Sequence, residues 1–383
     1  MAKKQKLNFI DVFSGAGGLS TGLELAGMNC ILGVEIDKYA VESFKANHKN
    51  AEAYCGDITK LDTKKLNELL KNQNVDAVVG GPPCQGFSTV GIGDPKDTRN
   101  QLFREFVRIV KITKPNFIVI ENVTGLLALK NEKTLNAIFK LFANMGFILD
   151  VQVMSAENYG VPEKRRRTII IGSRINQKIS FPLPSFNTEI GNKFIPAKNV
   201  GEALKNLKAK NGKIYNHELA SAEIKSKLDL DRIKCIPEGC GIRYEKDEIN
   251  FLPKKLKLGI DWKQIPENRF RQTKYQRLDR KKPSPTIMTH RHNYFHPVEN
   301  RYLTPREAAA IQSFPNDFVF HGPISAQWKQ IGNAVPPLLG FAIGNSIIEM
   351  SVRQSKSKSK TVSKNRSNNV KKVREKAFIY RSL

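Results

Sequence analysis

Cys84 sits in the string GGPPCQGFS (80–88), directly after the apolar run VDAVV, which places a thiol just past the end of a strand. Pro82 and Pro83 fix the path of the chain, and the flanking glycines leave room beside the sulfur. A cysteine alone is more often a small buried hydrophobe than a nucleophile; at a strand end with open space beside it, its thiolate can attack an electrophilic carbon. Glu121 ends a second apolar run, PNFIVIEN (115–122), where partial burial favours a carboxyl group able to donate a proton. Asn122 is expected to shape the turn that follows. Arg165 and Arg167, in EKRRR (163–167), stand two apart at the expected start of a strand, which predicts that both point to one face. Guanidinium groups there suit a phosphate or a carbonyl oxygen.

A second set of residues has the chemistry of a nucleoside site. FSGAGG (13–18) puts Gly15, Gly17 and Gly18 in a tight strand-to-helix turn that a ligand can approach closely. Some twenty residues on, Glu35-Ile36-Asp37 closes the next strand, and an acid there can accept hydrogen bonds from ribose hydroxyls. A third strand is expected to end at Cys55-Gly56-Asp57-Ile58, with Asp57 set to meet an adenine amino group and Ile58 to pack on the ring. On these features a nicotinamide dinucleotide and S-adenosylmethionine are both open.

Positioning these groups requires strands whose ends lie side by side. LNFIDVF, CILGVEI, VDAVVG, PNFIVIEN, FILDVQVM and RTIIIGS are short, apolar and β-branched, and amphipathic stretches such as YAVESFKANH separate them. That alternation predicts a doubly wound α/β sheet through residue 184. Leu102, Phe106, Ile109 and Val110 have helical spacing. From 185 to 300 the chain turns polar, basic and proline-interrupted, which reads as a second, smaller and irregular domain. TPREAAAIQSF (304–314) and PPLLGFAIGNSIIEM (336–350) then read as helices of a return segment, 301–352, that completes the first domain. The Lys-, Ser- and Asn-rich stretch 353–383 predicts a disordered basic tail.

The balance of 63 basic against 36 acidic side chains, a net charge of +27, points to a polyanionic partner, nucleic acid first. No apolar run stands out as a membrane span, and Asp11 and the glycines interrupt what a secretory signal would need, so a cytoplasmic location is expected. The five cysteines are odd in number and scattered, which argues for free thiols. Cys235 and Cys240 lack a second close ligand pair, so no metal site is expected.

GGPPCQGFS resembles the signature of the cytosine-5 DNA methyltransferase family, in which the cysteine attacks carbon 6 of the base. Other segments agree in order and content. DVFSGAGG is similar to the family's cofactor motif, ENV (121–123) to its catalytic glutamate motif, and RYLTPREAAAIQSFP (301–315) and QIGNAVPP (330–337) to its last two motifs. EKRRR stands where the family carries Gln-x-Arg-x-Arg, with Glu163 in place of the usual glutamine. The resemblance spans about residues 7–175 and 296–350, the flanks of the basic region.

The resemblance implies a methyltransferase-type α/β fold with a target-recognition domain, and S-adenosylmethionine as cofactor. It implies Cys84, Glu121, Arg165 and Arg167 as the catalytic set. Phe13, Gly15, Gly17, Gly18, Glu35, Ile36, Asp57, Ile58, Pro83, Leu102, Asn333 and Val335 would hold the cofactor. Double-stranded DNA would be met by Gln85, Ser88, Arg99, Arg271, Arg277, Thr286 and Ile287, with the target cytosine flipped out of the helix and STVGIGDPKDTRNQ (88–101) closing as a lid. The expected setting is a bacterial monomer, associated with the nucleoid through its DNA and paired with a restriction endonuclease. An RNA cytosine methyltransferase with the same core is the nearest rival. A non-enzymatic DNA-binding relative would normally lack Cys84 or Glu121, and an exocyclic amino methyltransferase needs an Asp/Asn-Pro-Pro-aromatic site that Pro-Pro-Cys replaces.

Overall fold

The computed structural model describes residues 6–82, 98–127, 132–175, 178–190 and 193–357. Pro83, Cys84, Gln85, Ser88, most of the expected lid and the segment 358–383 lie outside the described residues, as does the side chain of Arg99.

The chain divides into two units. One comprises residues 1–159, 166–184 and 335–383, the other 160–165 and 185–334. The first is built on a seven-stranded sheet. Its strands are β1 (Asn8–Val12), β2 (Asn29–Glu35), β3 (Glu52–Cys55), β4 (Ala77–Gly80), β5 (Phe117–Asn122), β6 (Ile148–Ser155) and β7 (Arg166–Ser173). Helices α1 (Gly18–Leu25), α2 (Lys38–Asn47), α3 (Thr63–Leu70), α4 (Thr98–Thr113) and α5 (Glu132–Asn144) connect them. The spatial order is β3-β2-β1-β4-β5-β7-β6, with β1 to β5 parallel and β7 antiparallel to both its neighbours. The fold is therefore α/β with a mostly parallel sheet. The order reverses between β1 and β4, the position at which open sheets of this kind bind ligands.

Both faces of the sheet are covered, which explains why its strands are apolar runs with little alternation. Ile10, Val12, Val78, Ile118 and Ile120 face one core with Phe103, Phe106 and Phe142. Phe9, Cys30, Val79, Val119 and Ile171 face the other, with Leu19 and Leu23 of α1. That second core is closed by the last described helix of the chain, which carries Leu339, Ile343, Ile347 and Met350 into it. Together with the residues before it, this helix reaches the length and hydropathy of a membrane span. Its burial against α1 accounts for that composition: a Cβ at Gly22 would come within 2.6 Å of Gly340 Cα.

The second unit has little regular structure among its described residues. It contains the small hairpins β8 (Thr188–Ile190) with β9 (Lys193–Ile195) and β10 (Ile242–Tyr244) with β11 (Arg269–Lys274), and the helices α6 (Val200–Leu204), α7 (Lys227–Cys235), α8 (Glu245–Phe251), α9 (Pro305–Ile311) and α10 (Ile324–Asn333). The closing helix of the first unit is α11 (Pro337–Ser357). Ile233, Ile236, Ile242, Trp262, Phe295 and Tyr302 form a separate small core. The return to the first unit falls at Val335 rather than at 301, because the 301–334 segment packs with the irregular unit: Tyr302 joins its core and donates its N–H to Ala222 O at 2.8 Å. Residues 353–357, expected to open a disordered basic tail, instead continue α11 to Ser357.

Candidate active site

The glycine turn after β1 is fastened at several points. Phe13, with φ +64°, and Ser14 both donate their N–H to Val34 O, at 2.9 and 3.1 Å. Glu35, the last residue of β2, accepts from Gly15 N at 2.9 Å with one carboxylate oxygen. Its other oxygen accepts from Ile36 N and Asp37 N at 2.8 and 2.9 Å. Gly17 caps α1 with φ +94°, and a Cβ there would stand 2.2 Å from His48 Nε2, so only glycine fits on both counts. Beneath the turn, Asp11 is fully buried and accepts the Ser20 hydroxyl at 2.5 Å. Burial pushes its carboxyl up to about 7, against the opposing effects of Ser20 and His48.

The expected cofactor residues separate into different jobs. Ile36 is 69% exposed at the strand end, an uncommon state for a large apolar side chain and one suited to stacking on a flat ring. Ile58 is instead buried in the core beside Leu61, so its side chain does not offer the ring face assigned to it. Asp57 caps the turn after β3, accepting from Thr59 N at 2.9 Å, and this bond holds its carboxyl below the usual range. Leu102 packs partly buried against the first core. Val335 is buried in the other core, and the exposed Asn333 ends α10 in the second unit.

Glu121 and Arg167 meet at the ends of β5 and β7. The antiparallel register pairs Glu121 with Ile169, and Arg167, two residues before Ile169, lies on the same face and reaches across. Its Nε stands 2.7 Å from Glu121 Oε1, and both side chains are 15% exposed. The other carboxylate oxygen of Glu121 abuts Gly81, where a Cβ would come within 2.9 Å. Asn122 donates from Nδ2 to Pro82 O at 3.0 Å. The sequence suggested only a turn-shaping role for Asn122; the bond shows that it fixes the chain two residues before Cys84.

Arg165 does not share a face with Arg167. β7 begins at Arg166, and Arg165 belongs to the second unit, where it is fully buried. Its guanidinium donates to Gly332 O at 2.7 Å and to Ile287 O at 3.3 Å.

Among the expected DNA contacts, Arg271 is exposed on β11, with Lys274 exposed on the same strand. Arg277 is buried and spent on the protein: it donates to Ile233 O, Ile236 O, His296 O, Glu299 O and Asn300 Oδ1 at 2.7 to 3.1 Å. It cannot reach a phosphate without abandoning these carbonyls. Ile287 is likewise fully buried, whereas Thr286 is half-buried and its hydroxyl donates to Lys164 O at 2.6 Å. Charge alone in the sequence could not separate Arg271 from Arg277.

The family model for C-5 cytosine-specific DNA methylase matches residues 7–349. The chain belongs to this family. It is a DNA cytosine-5 methyltransferase of the Type II restriction-modification kind. It is similar to the Type II methyltransferase M1.HphI of Haemophilus parahaemolyticus, at 37% identity over 91% of this chain and 88% of that protein. M.DdeI of Desulfomicrobium norvegicum is 34% identical over 89% of this chain and 88% of its own. Among solved structures, a protein described as a DNA modification methyltransferase encoded within an E. coli prophage superposes with a TM-score of 0.68 at 27% identity, over 91% of this chain and all of that one. The S. pombe Dnmt2 methyltransferase shares the fold with a TM-score of 0.61 at 16% identity, over 90% of this chain and 99% of that one.

Proposed function

We propose that this methyltransferase modifies carbon 5 of a cytosine flipped out of double-stranded DNA, through a covalent adduct with Cys84, and takes the methyl group from S-adenosylmethionine. The observation that carries the reading is the Glu121–Arg167 pair beside Gly81, three residues before the thiol in the chain. A single frame thus holds a carboxylate, a guanidinium and the approach to a nucleophile.

Carbon 5 of cytosine is too weak a nucleophile to accept a methyl group unaided. Addition of the Cys84 thiolate to carbon 6 moves the electron pair of the 5,6 double bond into the ring, toward carbon 5 and nitrogen 3. Glu121 supports that charge by delivering a proton to nitrogen 3, and Arg167 holds the carboxyl group in place and balances its charge when ionised. S-adenosylmethionine supplies an electrophilic methyl group on a sulfonium. Glu121 takes its proton back from nitrogen 3, and loss of the carbon 5 proton to a base such as water returns an electron pair to the ring and expels the Cys84 thiolate.

The residues present fit this cofactor. Gly15 and Gly17 keep side chains out of the turn, Glu35 presents its carboxylate for ribose hydroxyls, Ile36 offers an apolar face and Asp57 stands at the neighbouring strand end. In the second unit, the exposed Arg271 and the half-buried Thr286 contact the DNA. We assign the protein to the cytoplasm, acting as a monomer beside a restriction endonuclease that cuts the same sequence.

The test is transfer of labelled methyl from S-adenosylmethionine to matched duplex DNA and tRNA, followed by bisulfite sequencing of DNA from expressing cells. Carbon 5 methylation at one short sequence in DNA is expected. Methylation confined to RNA would overturn the reading.

A further inference from the structure

Glu163 stands in the segment that resembles the family's Gln-x-Arg-x-Arg motif, at the place of its more usual glutamine, and it is one of the few fully buried charged side chains among the described residues. Its Oε1 accepts the Ile287 N–H at 2.5 Å and lies 3.5 Å from Arg165 Nη1. The same Arg165 nitrogen donates to Ile287 O at 3.3 Å. One ion pair therefore holds both main-chain polar groups of a single residue.

The flanking residues are fastened in the same way. Lys164 N donates to Ser284 O at 2.8 Å, and Ser284 N to Pro162 O at 2.9 Å. Tyr294 donates its hydroxyl to Thr286 O at 2.5 Å, and burial with the nearby Glu163 charge pushes that hydroxyl up to about 12, so it remains a donor at any working pH. Gly332, whose carbonyl takes Arg165 Nη2, lies so close to the 288–289 main chain that a Cβ would meet Met288 C at 2.5 Å. What this knot presents outward is Pro285 and the half-buried Thr286, between exposed Lys281, Lys282 and His290; the Thr286 hydroxyl, which donates to Lys164 O at 2.6 Å, has to turn from that carbonyl to donate to a phosphate. This is a rigid main-chain element set in a basic surface, as a phosphate-reading element requires.

We propose that Glu163 is a positioning residue for target recognition: with Arg165 it fixes the main chain at Ile287 and so presents Thr286 to the DNA backbone. The inference rests on the DNA-methylating reading above and adds to it a role for Glu163 and a non-catalytic role for Arg165. An acceptor oxygen at this place is sufficient for the grip, and a glutamine amide oxygen would supply one as the carboxylate does.

The experiment measures KM for the cognate duplex, kcat, cofactor Kd and Tm for four proteins. Wild-type transfer to DNA comes first; its failure sinks the functional reading and takes this inference with it. E163Q keeps an acceptor for Ile287 N–H and should stay within about threefold of wild type in KM. The double variant E163M/R165M removes the grip while replacing a buried ion pair with apolar groups of similar size, a change that folded proteins often tolerate. It should raise KM for DNA about tenfold or more with kcat and cofactor Kd little changed. Y294F, a milder cut at the same element, should raise KM about threefold and carries the test if the double variant does not fold. Unchanged KM in E163M/R165M and Y294F overturns the proposal. So does a fall in kcat at constant KM in the double variant, which would return Arg165 to the catalytic set.

Discussion

The two units solve the same problem, burying a polar main chain, by different means. In the sheet unit the strand ladders satisfy the backbone, and the side chains between sheet and helices are left free to be apolar, as in the packing of Phe103, Phe106 and Phe142. The irregular unit has only short hairpins and helices among its described residues, so side chains must supply what ladders do elsewhere. Arginine, with five donors in a fixed fork, does much of this. Arg232 donates to Leu256 O and Lys257 O, Arg306 to Phe318 O, Arg165 to two carbonyls and Arg277 to four. A high arginine content in an irregular domain therefore reports architecture as well as DNA affinity.

The comparison can be broken most severely at Glu121. Glu121→Gln removes the ionisable group and should lower kcat by about 10²-fold or more, with Tm nearly unchanged because its neighbours belong to the sheet frame. Steady-state kinetics beside thermal melts check this, and equal losses in stability and kcat would make Glu121 a structural residue.

Arg277→Met asks the converse in the irregular unit. It strands four carbonyls, those of Ile233 and Ile236 in fully buried bonds, and should cost about 3 kcal/mol in stability, read from denaturant unfolding. Unaltered unfolding, with weaker DNA binding, would contradict the scaffold role assigned here.

These arginines show where the sequence was legible and where it was not. The seven strands, the glycine turn and the approach to Cys84 follow from apolar runs and turn residues, which are local signals. Arg165 and Arg277 were misread because side-chain burial in the irregular unit depends on contacts more than a hundred and some forty residues away, respectively. The same non-locality placed the return to the first unit too early and gave Ile58 and Ile287 exposed roles. Arg167 lies in a strand but without Arg165 beside it on the expected shared face, and its partner Glu121 is evident only through the antiparallel run of β7 against β5.

A pH effect is expected of the sheet unit through Asp11. Its folded value, about 7, lies above the ordinary 3.8, so the native state holds more protons than the unfolded one between these limits. Stability from this group is full below about pH 4 and falls as pH rises to about 7, by a few kcal/mol at most. Asp11→Asn, which keeps an oxygen for Ser20, should flatten that part of the stability profile. A wild-type profile with the same slope as the variant would remove Asp11 from the account.

The smallest effect is expected at Arg271. Being exposed, it should leave unfolding unaltered when replaced by alanine, while the dependence of DNA affinity on salt weakens by about one counterion. Arg271→Ala with an unchanged salt slope would show that the DNA face lies elsewhere on the unit.

The central claim, that the frame built by Glu121, Arg167 and Gly81 serves a covalent reaction at Cys84, is tested most directly by trapping. A duplex carrying 5-fluorocytosine at the target position blocks the loss of the carbon 5 substituent, so the thiolate cannot leave. Incubated with S-adenosylmethionine and analysed by intact mass, the native chain should appear as a stable protein–DNA adduct carrying one added methyl group, and Cys84→Ser should give none. An adduct of equal yield from Cys84→Ser, or methylation of ordinary DNA by a native chain that never traps, would contradict it.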